Sequence, residues 1–497
     1  MKTSNKLKKL LIHVSNYSIG SLLVTLAGFI SFPILTRLLS QADYGLLSLI
    51  GVTLTLLVAI GKLGLQNPII RFYSDAESNR DGWNLEKYYT TIILGMLVIG
   101  LVIMFLWLVI VYFIPANFWN DEKLRSLFMV TALLVLIRVM DSAFSNIFRA
   151  RQKSRLLSTY RVIRRYASLV LVVVTLFYIS NTLAGLYIAT IIVELVSVII
   201  LGYLLLKNRT LKLKLFSPEL LKAMLIFGIP LVGHELAWVL HNTGDRYLIQ
   251  WMMGAESLGA YAAAYNLSDY VRIIVIMSLY QALPPIYLKI WSEEGEEPTR
   301  QFIEKSLHFY IMVALPVLAG ISVVGPTLLT ILATEKFSAG AVIIPYVIAG
   351  MVINGSAVMF GAGLYIHKQT KILMLLMLIS AIFNIILNII LIPRFGLEGA
   401  AIATLISYTG FAISNKIVSS RKFHISIPWL TVFKFSLVSV LMYFMLIQIN
   451  VVNSIVTLFV QICAGIVFYV VLAVMLDKTA KKIAQDIVLK FSRSKSI

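Results

Sequence analysis

A small set of ionisable side chains stands within long apolar stretches of this sequence, and these are the residues best placed to do chemistry. They are Lys62, Arg138, Asp141, His234, Glu235, Asp269 and Arg272. A charge at the centre of a bilayer costs about 2.5–3.5 kcal/mol on insertion scales, so it is retained where it faces a partner or a water-filled cavity. Such residues point to binding and transport, and we predict no catalytic residue and no metal site.

Two pairs of opposite charge have the spacing i, i+3: Arg138 with Asp141, and Asp269 with Arg272. On a helix this spacing places each pair on one face, within contact distance. The pairs could neutralise each other and hold helices together. Alternatively they could form a polar stripe along a cleft, where arginine can hold a phosphate through two parallel hydrogen bonds. We therefore treat these residues and Lys62 as candidates for lining a substrate path.

His234 and Glu235 are adjacent, close to the helix-distorting residues Gly228 and Pro230. A histidine beside a carboxylate can relay protons or titrate near neutral pH, which makes this pair a candidate for proton or ion coupling. Hydrogen bonds to neighbouring helices are the alternative role. The pair is not a zinc-protease motif, because HExxH would need a second histidine where Trp238 stands.

The elements that must position these residues are membrane-spanning helices. The chain has 497 residues, of which 59% are hydrophobic and 13% charged, against about 45–50% and about 25% in soluble domains. A spanning helix needs about 20 mostly apolar residues. About fourteen such runs are present, at roughly 14–35, 45–66, 89–113, 127–148, 162–180, 183–206, 221–243, 258–283, 307–331, 341–366, 372–392, 397–416, 430–450 and 454–476. The single cysteine, Cys463, leaves no disulfide within the chain.

The net charge of the chain is +20, and its basic residues are distributed unevenly among the predicted loops. With the N-terminus inside and the spans alternating, 34 of the 43 lysines and arginines fall on the inner side, six on the outer side and three within spans. This is the positive-inside pattern, and it places both termini in the cytoplasm. The basic loops therefore predict contacts with anionic membrane lipids, and no nucleic-acid partner.

An internal repeat is visible at an offset of 214 residues. Gly185–Thr190 matches Gly399–Thr404 at this offset, and Gly45 matches Gly259. We predict an all-α polytopic membrane protein with two parallel six-helix repeats. Residues 1–206 form the N-lobe (spans 1–6), 207–416 the C-lobe (spans 7–12), and 417–497 spans 13 and 14 with a basic cytoplasmic tail. Two-lobed helical repeats are typical of transporters that work by alternating access.

Two motifs resemble a known family. The opening Gly20-Ser-Leu-Leu, followed by Phe32-Pro-Ile-Leu-Thr-Arg-Leu-Leu-Ser-Gln-Ala-Asp-Tyr-Gly45, is similar to the start of Wzx-like polysaccharide-biosynthesis flippases. These belong to the multidrug/oligosaccharidyl-lipid/polysaccharide (MOP) exporter superfamily. The hairpin containing Asn384, Asn388, Ile392-Pro-Arg-Phe-Gly396 and Gly399–Thr404 resembles the hairpin of the same family. The resemblance covers roughly residues 14–416.

The resemblance implies a two-lobed transporter in the cytoplasmic membrane of a bacterium or archaeon. Its cargo would be a polyprenyl-pyrophosphate-linked oligosaccharide, moved to the outer leaflet for O-antigen, capsule or exopolysaccharide synthesis. It also implies coupling to a proton or sodium gradient without a cofactor, and a polysaccharide polymerase with chain-length machinery as further candidate partners. In such proteins the first two spans of each lobe line the lumen. Here those spans hold Lys62, His234, Glu235, Asp269 and Arg272 but neither Arg138 nor Asp141. In related fourteen-span lipid flippases the last two spans help to form a groove for the lipid tail.

Two other functions stay open. One is a multidrug or cation antiporter of the same superfamily, although related antiporters more often have a carboxylate-rich cavity. The other is a membrane-embedded glycosyltransferase or polymerase, which the short predicted outer loops disfavour. The sequence has no G-x-x-x-x-G-K-[ST] motif, which excludes an ATP-driven pump built on a P-loop in this chain. We predict a transporter rather than an enzyme.

Overall fold

The computed structural model describes residues 2–79, 82–115, 121–207, 211–273, 278–450, 453–482 and 485–486, with the side chains of 2–18, 122 and 278–282 excepted. Across these described ranges the regular structure is helical and no strand occurs, which confirms the predicted all-α class. The predicted basic tail beyond residue 486 lies outside the described residues.

Contacts between helices divide the chain into two compact units, Met1–Gly259 (unit 1) and Ala260–Ile497 (unit 2). The boundary falls inside one helix, Asp245–Arg272. The predicted lobes divide instead at residue 206, because they follow the sequence repeat rather than packing, and they remain a prediction.

Unit 1 is built from eight long or medium helices and the first part of a ninth. They are α1 (Lys2–Leu38), α2 (Gln41–Gly61), α3 (Gln66–Glu77), α4 (Leu85–Phe113), α5 (Glu122–Ala150), α6 (Ser154–Val174), α7 (Leu183–Leu206), α8 (Pro218–Thr243) and α9 (Asp245–Arg272). Side chains of Ser40, Asn84, Thr182 and Ser217 cap α2, α4, α7 and α8 by accepting hydrogen bonds from backbone N–H groups of the first turn. Helix α5 packs against α4 and α7, α1 against α6, and α8 against α2, α3 and α4.

Unit 2 contains the rest of α9 and seven further helices. They are α10 (Ser278–Glu294), α11 (Glu296–Ala333), α12 (Ile344–Phe360), α13 (Ala362–Ile366), α14 (Thr370–Ser420), α15 (Trp429–Gln448) and α16 (Ser454–Leu476). Helix α12 packs along α14, and α11 packs against both α15 and α16. The last two helices thus join unit 2 through α11.

Twelve helical segments of the described chain are long and apolar enough to cross a membrane, which confirms a multi-pass membrane protein. Two of them, Pro218–Arg272 and Thr370–Ser420, have 55 and 51 residues, over twice the length of about 20 residues that one crossing needs. Each is interrupted by a glycine with positive φ, Gly254 (83°) and Gly396 (57°). These breaks support two crossings in each segment, and the count of fourteen spans stays a prediction.

The two glycines predicted to be repeat equivalents, Gly45 and Gly259, meet within unit 1. A Cβ on Gly45 would lie 2.1 Å from the carbonyl oxygen of Ala255, and one on Gly259 would lie 1.9 Å from that of Gln41. Each glycine therefore faces the carbonyl four positions before its counterpart, as in a symmetric crossing of two related helices. Only glycine permits so close an approach of two backbones.

Candidate functional site

A break in the second predicted span positions the first candidate residue. Lys62 ends α2, and Leu63 and Gly64 then adopt positive φ angles of 44° and 70° before α3 begins at Gln66. The turn rests directly on α8, because a Cβ on Gly64 would lie 1.9 Å from the carbonyl oxygen of Gly228. A side chain at position 64 would therefore clash as well as strain the backbone.

Lys62 donates to one carboxylate oxygen of Glu235 on α8, and Gln66 donates to the other at 3.0 Å. The Lys62 and Glu235 side chains are only 18% and 25% exposed. The structure thus brings together a predicted substrate-binding residue and a predicted coupling residue; we call Lys62, Gln66 and Glu235 the Lys62 cluster. His234 is exposed and takes no part in this contact.

Sequence reasoning missed Gln66. It stands at the end of an apolar run, where a polar residue is an ordinary helix terminus. Its position four residues after Lys62 would normally mean the same helix face. The spacing does not place Lys62 and Gln66 on one helix face here, because the left-handed turn at Leu63 and Gly64 separates the two residues.

Arg138 and Asp141 do not pair with each other. Arg138 donates through Nε and Nη2 to both carboxylate oxygens of Glu194 on α7, at 2.9 and 3.0 Å. Asp141 accepts from the Tyr160 hydroxyl at 2.5 Å and pairs with Arg164 at 2.9 Å, both on α6. The structure thus contradicts, for these two residues, the alternative that they neutralise each other, because α5 packs against α7, which supplies Glu194, and against α6, which supplies Arg164. The arrangement is typical of ion pairs that hold helices together, and a substrate-lining role for these two residues stays a prediction.

Asp269 and Arg272 lie on α9 in unit 2 and do form the predicted pair. The Arg272 Nε donates to Asp269 Oδ1 at 2.7 Å, and the side chains are 29% and 32% exposed. Nearby, the hydroxyls of Tyr265 and Tyr408 lie 3.3 Å apart. The residues thus form a half-buried charged patch within unit 2, whose role in lining a lumen stays a prediction.

Unit 2 also contains an apolar groove of about 590 Å³ along α11, α15 and α16. We call it the α11–α16 groove; its walls include Met312, Val313, Pro316, Gly320, Val324, Met442, Leu446, Gln461, Gly465 and Tyr469. Its polar side chains are turned to backbone partners. Gln461 donates to the carbonyls of Leu446 and Ile449 at 3.1 and 3.0 Å, and the Tyr469 hydroxyl donates to the carbonyl of Met312. The groove therefore presents hydrocarbon.

Among the described residues, no group of three or more histidine, cysteine, aspartate or glutamate side chains could hold a metal ion.

The model of a family described as "Polysaccharide biosynthesis protein" matches residues 10–291, more than half of the chain. The chain belongs to the polysaccharide biosynthesis protein family. This membership confirms the predicted family. The matched residues include the opening motif, whereas the hairpin at residues 384–404 lies outside them.

Two relatives of this family member come from archaea. An uncharacterised membrane protein of Methanocaldococcus jannaschii is 23% identical over 390 residues, covering 74% of this chain and 75% of the relative. A probable low-salt glycan biosynthesis flippase of Haloferax volcanii, Agl15, is 24% identical over 251 residues. That match covers 49% of this chain and about half of the relative (51%).

The fold of this family member is that of a known flippase. The solved structure of the lipid II flippase MurJ in its inward closed conformation superposes with a TM-score of 0.75 at 16% identity. The match covers 92% of this chain and 98% of that chain. The similarity establishes a common helical fold over nearly the whole chain.

Proposed function

We propose that this protein is a flippase that carries a polyprenyl-pyrophosphate-linked oligosaccharide across the cytoplasmic membrane for surface polysaccharide synthesis. Membership of the polysaccharide biosynthesis family supports the pathway. The observation that carries the proposal is the α11–α16 groove, because a cargo with a long isoprenoid tail needs an apolar surface that can hold the tail while its head group moves.

The energetic cost of moving this cargo across the bilayer comes from its polar head group. A sugar pyrophosphate is rich in hydrogen-bonding groups, and each one left unpaired in hydrocarbon costs several kcal/mol. The Lys62 cluster offers a charged partner and an amide to such a head group. In this proposal a phosphate oxygen takes the place of the Glu235 carboxylate on Lys62. Displaced Glu235 keeps its hydrogen bond from Gln66.

We propose that transport is coupled to a proton or sodium gradient, as the family resemblance implies. His234 and Glu235 are the candidate coupling residues. When the ion pair between Lys62 and Glu235 re-forms, it expels the phosphate from Lys62.

The groove can be tested by filling it. In Gly320→Phe the ring would occupy the groove without a backbone clash, since the nearest atom to a Cβ there is Met442 Cε at 3.9 Å. The matched control is Gly410→Phe on α14, where a Cβ meets no atom within 4 Å. Purified variants are placed in vesicles with a pyrophosphate-linked disaccharide that carries a fluorophore and either an undecaprenyl or a farnesyl tail.

We expect Gly320→Phe to slow translocation of the undecaprenyl cargo severalfold while the short-tailed cargo and the control variant are little affected. Equal rates for Gly320→Phe and Gly410→Phe with the long tail would contradict a tail-binding groove. Uptake of a cationic dye driven by a proton gradient, without translocation of either cargo, would favour the multidrug antiporter instead.

A further inference from the structure

Unit 1 contains a cavity of its own, and no residue of the Lys62 cluster lines it. It measures about 800 Å³ and lies between the first turns of α6 and the last turns of α7. We call it the α6–α7 cavity; the lining residues that matter here are Lys153, Arg155, Ile163, Ser197, Ile200 and Leu204. Its size falls within the range of about 300–1,000 Å³ that is typical of small-molecule sites.

The rim of this cavity is basic. Lys153 and Arg155 are both exposed, and within the part of the chain that the structure describes neither forms an ion pair. A third cation, Arg164, also lines the cavity and is fixed by Asp141 at 2.9 Å. No carboxylate is among the described residues of the lining. The rim therefore favours an anion.

One wall of the cavity is apolar and uncovered. Ile163, Ile200 and Leu204 are 62%, 51% and 45% exposed. In a membrane protein such side chains contact lipid tails. The charge distribution places the turn between α5 and α6 on the inner side, so the rim lies at the level of the inner head groups and the wall runs into the hydrocarbon. A lipid with an anionic head group would place that head group at the basic rim and an acyl chain along the apolar wall.

We propose that the α6–α7 cavity binds one anionic phospholipid of the inner leaflet. Its phosphate contacts Lys153 and Arg155, and one acyl chain lies along Ile163, Ile200 and Leu204. Charge complementarity selects this occupant over a zwitterionic lipid, because the rim cations attract the phosphate but repel a choline or ethanolamine group. The inference is independent of the transport proposal, since it uses none of the residues invoked there.

A fluorescent reporter beside the cavity tests this directly. Tyr203→Cys, in a Cys463→Ser background, places the single thiol on an exposed position of α7 next to Leu204. The thiol is labelled with bimane, and the protein is placed in phosphatidylcholine vesicles containing nitroxide-labelled phosphatidylglycerol or phosphatidylcholine. Quenching gives the association constant of each lipid at this position.

We expect phosphatidylglycerol to quench this reporter more strongly than phosphatidylcholine. Because each basic residue near an anionic lipid changes affinity by about fivefold, the double variant K153Q/R155Q should reduce the preference by up to about thirtyfold. Ser197→Phe, which fills the cavity without changing charge, should reduce it as well. R421Q/K422Q, which removes two exposed cations from another predicted inner loop, should leave the preference unchanged.

Three results would overturn the proposal. One is an unchanged preference in both K153Q/R155Q and Ser197→Phe. Another is an equal preference at a reporter introduced by Ile417→Cys, an exposed position near the inner end of α14. The third is displacement of the labelled lipid by inorganic phosphate or polyprenyl pyrophosphate more readily than by unlabelled phosphatidylglycerol, which would assign the cavity to a soluble anion or to the cargo.

Discussion

At the residue scale, the main finding is the contact between Lys62 and Glu235. The sequence suggested Lys62 as a substrate-binding residue and Glu235 as a coupling residue, but it did not relate the two. Lys62 and Glu235 are 173 positions apart in the chain, and no periodicity relates them. What the sequence could show was that each charge needs a partner within the apolar helices. Which partner it finds depends on the break after α2 and on how α8 packs against it.

The first prediction distinguishes the contribution of the Lys62–Glu235 pair to stability from its contribution to transport. Lys62→Gln leaves the half-buried Glu235 carboxylate without its cation and with only the hydrogen bond from Gln66, which should destabilise the protein by about 1–3 kcal/mol. The double variant K62Q/E235Q removes both charges and should recover most of that stability. It should still fail to translocate cargo, because the cation for the phosphate is gone. Thermal unfolding in detergent and translocation in vesicles measure the two effects.

A matched control is Lys289→Gln, which removes an exposed lysine from a predicted inner segment. It should change neither stability nor transport. Normal translocation by K62Q/E235Q at normal protein level would show that the pair is structural only.

The second prediction concerns Arg138 and Glu194. Removing Arg138 alone, as in Arg138→Met, leaves the Glu194 carboxylate 13% exposed and without its two hydrogen bonds. Stability should fall by about 1–3 kcal/mol, and R138M/E194M should recover it, since an apolar pair can replace a buried ion pair. If the pair only holds α5 to α7, the double variant transports normally. Loss of transport in this stable variant would instead support the predicted substrate-lining role of Arg138.

The third prediction is a pH dependence at Asp477, just after the last span. Burial raises the pKa of this carboxyl. Hydrogen bonds from the backbone N–H groups of Ala480 and Thr479, together with the nearby His308 and Lys434, outweigh this effect, so the pKa lies below its ordinary value. Its contribution to stability is complete above the ordinary pKa of about 3.9 and is lost as the pH falls through the lowered value.

Asp477→Ala should therefore lower Tm at neutral pH, by an amount corresponding to a lost cap of about 1 kcal/mol. The difference from the unsubstituted protein should narrow below about pH 4. Unfolding curves recorded across this range give the comparison. A difference that stays constant well below pH 4 would mean that the carboxylate charge is not its origin.

At the element scale, close backbone contacts fix the helices that carry the site. The sequence marked Gly228 as a residue that could distort a helix. The structure gives it a further role, because a Cβ at Gly228 would lie 2.9 Å from the carbonyl oxygen of Leu63 and 3.0 Å from the backbone of Gly64. The turn that presents Lys62 thus depends on two glycines, Gly64 in the turn itself and Gly228 in α8.

The fourth prediction follows from this contact. Gly228→Leu should push the turn away from α8, cost about 1–3 kcal/mol through overpacking and separate Lys62 from Glu235. Gly51→Leu on α2, where a Cβ meets no atom within 4 Å, is the control. Translocation should fall sharply in the first variant and stay near normal in the second. Equal behaviour of the two variants would show that the close approach is not needed.

At the scale of the whole molecule, much of the architecture could be predicted because it depends on composition. Apolar runs of spanning length require helices in a bilayer, since a helix satisfies its own backbone hydrogen bonds. The repeat was visible through Gly45 and Gly259 because a backbone crossing excludes every other residue. Pairing between side chains of different helices could not be predicted, as Arg138 and Asp141 show, because it depends on which helices become neighbours.

In the proposed function the protein moves a polyprenyl-pyrophosphate-linked sugar between leaflets. The most direct test is a vesicle assay in which dithionite destroys the NBD fluorophore of such a cargo from outside only. We predict that protein-containing vesicles lose nearly all of the signal, whereas protein-free vesicles and vesicles with K62Q/E235Q lose only the share of the outer leaflet. Loss of only that share in the presence of the unsubstituted protein, with a proton gradient imposed in either direction, would contradict the account.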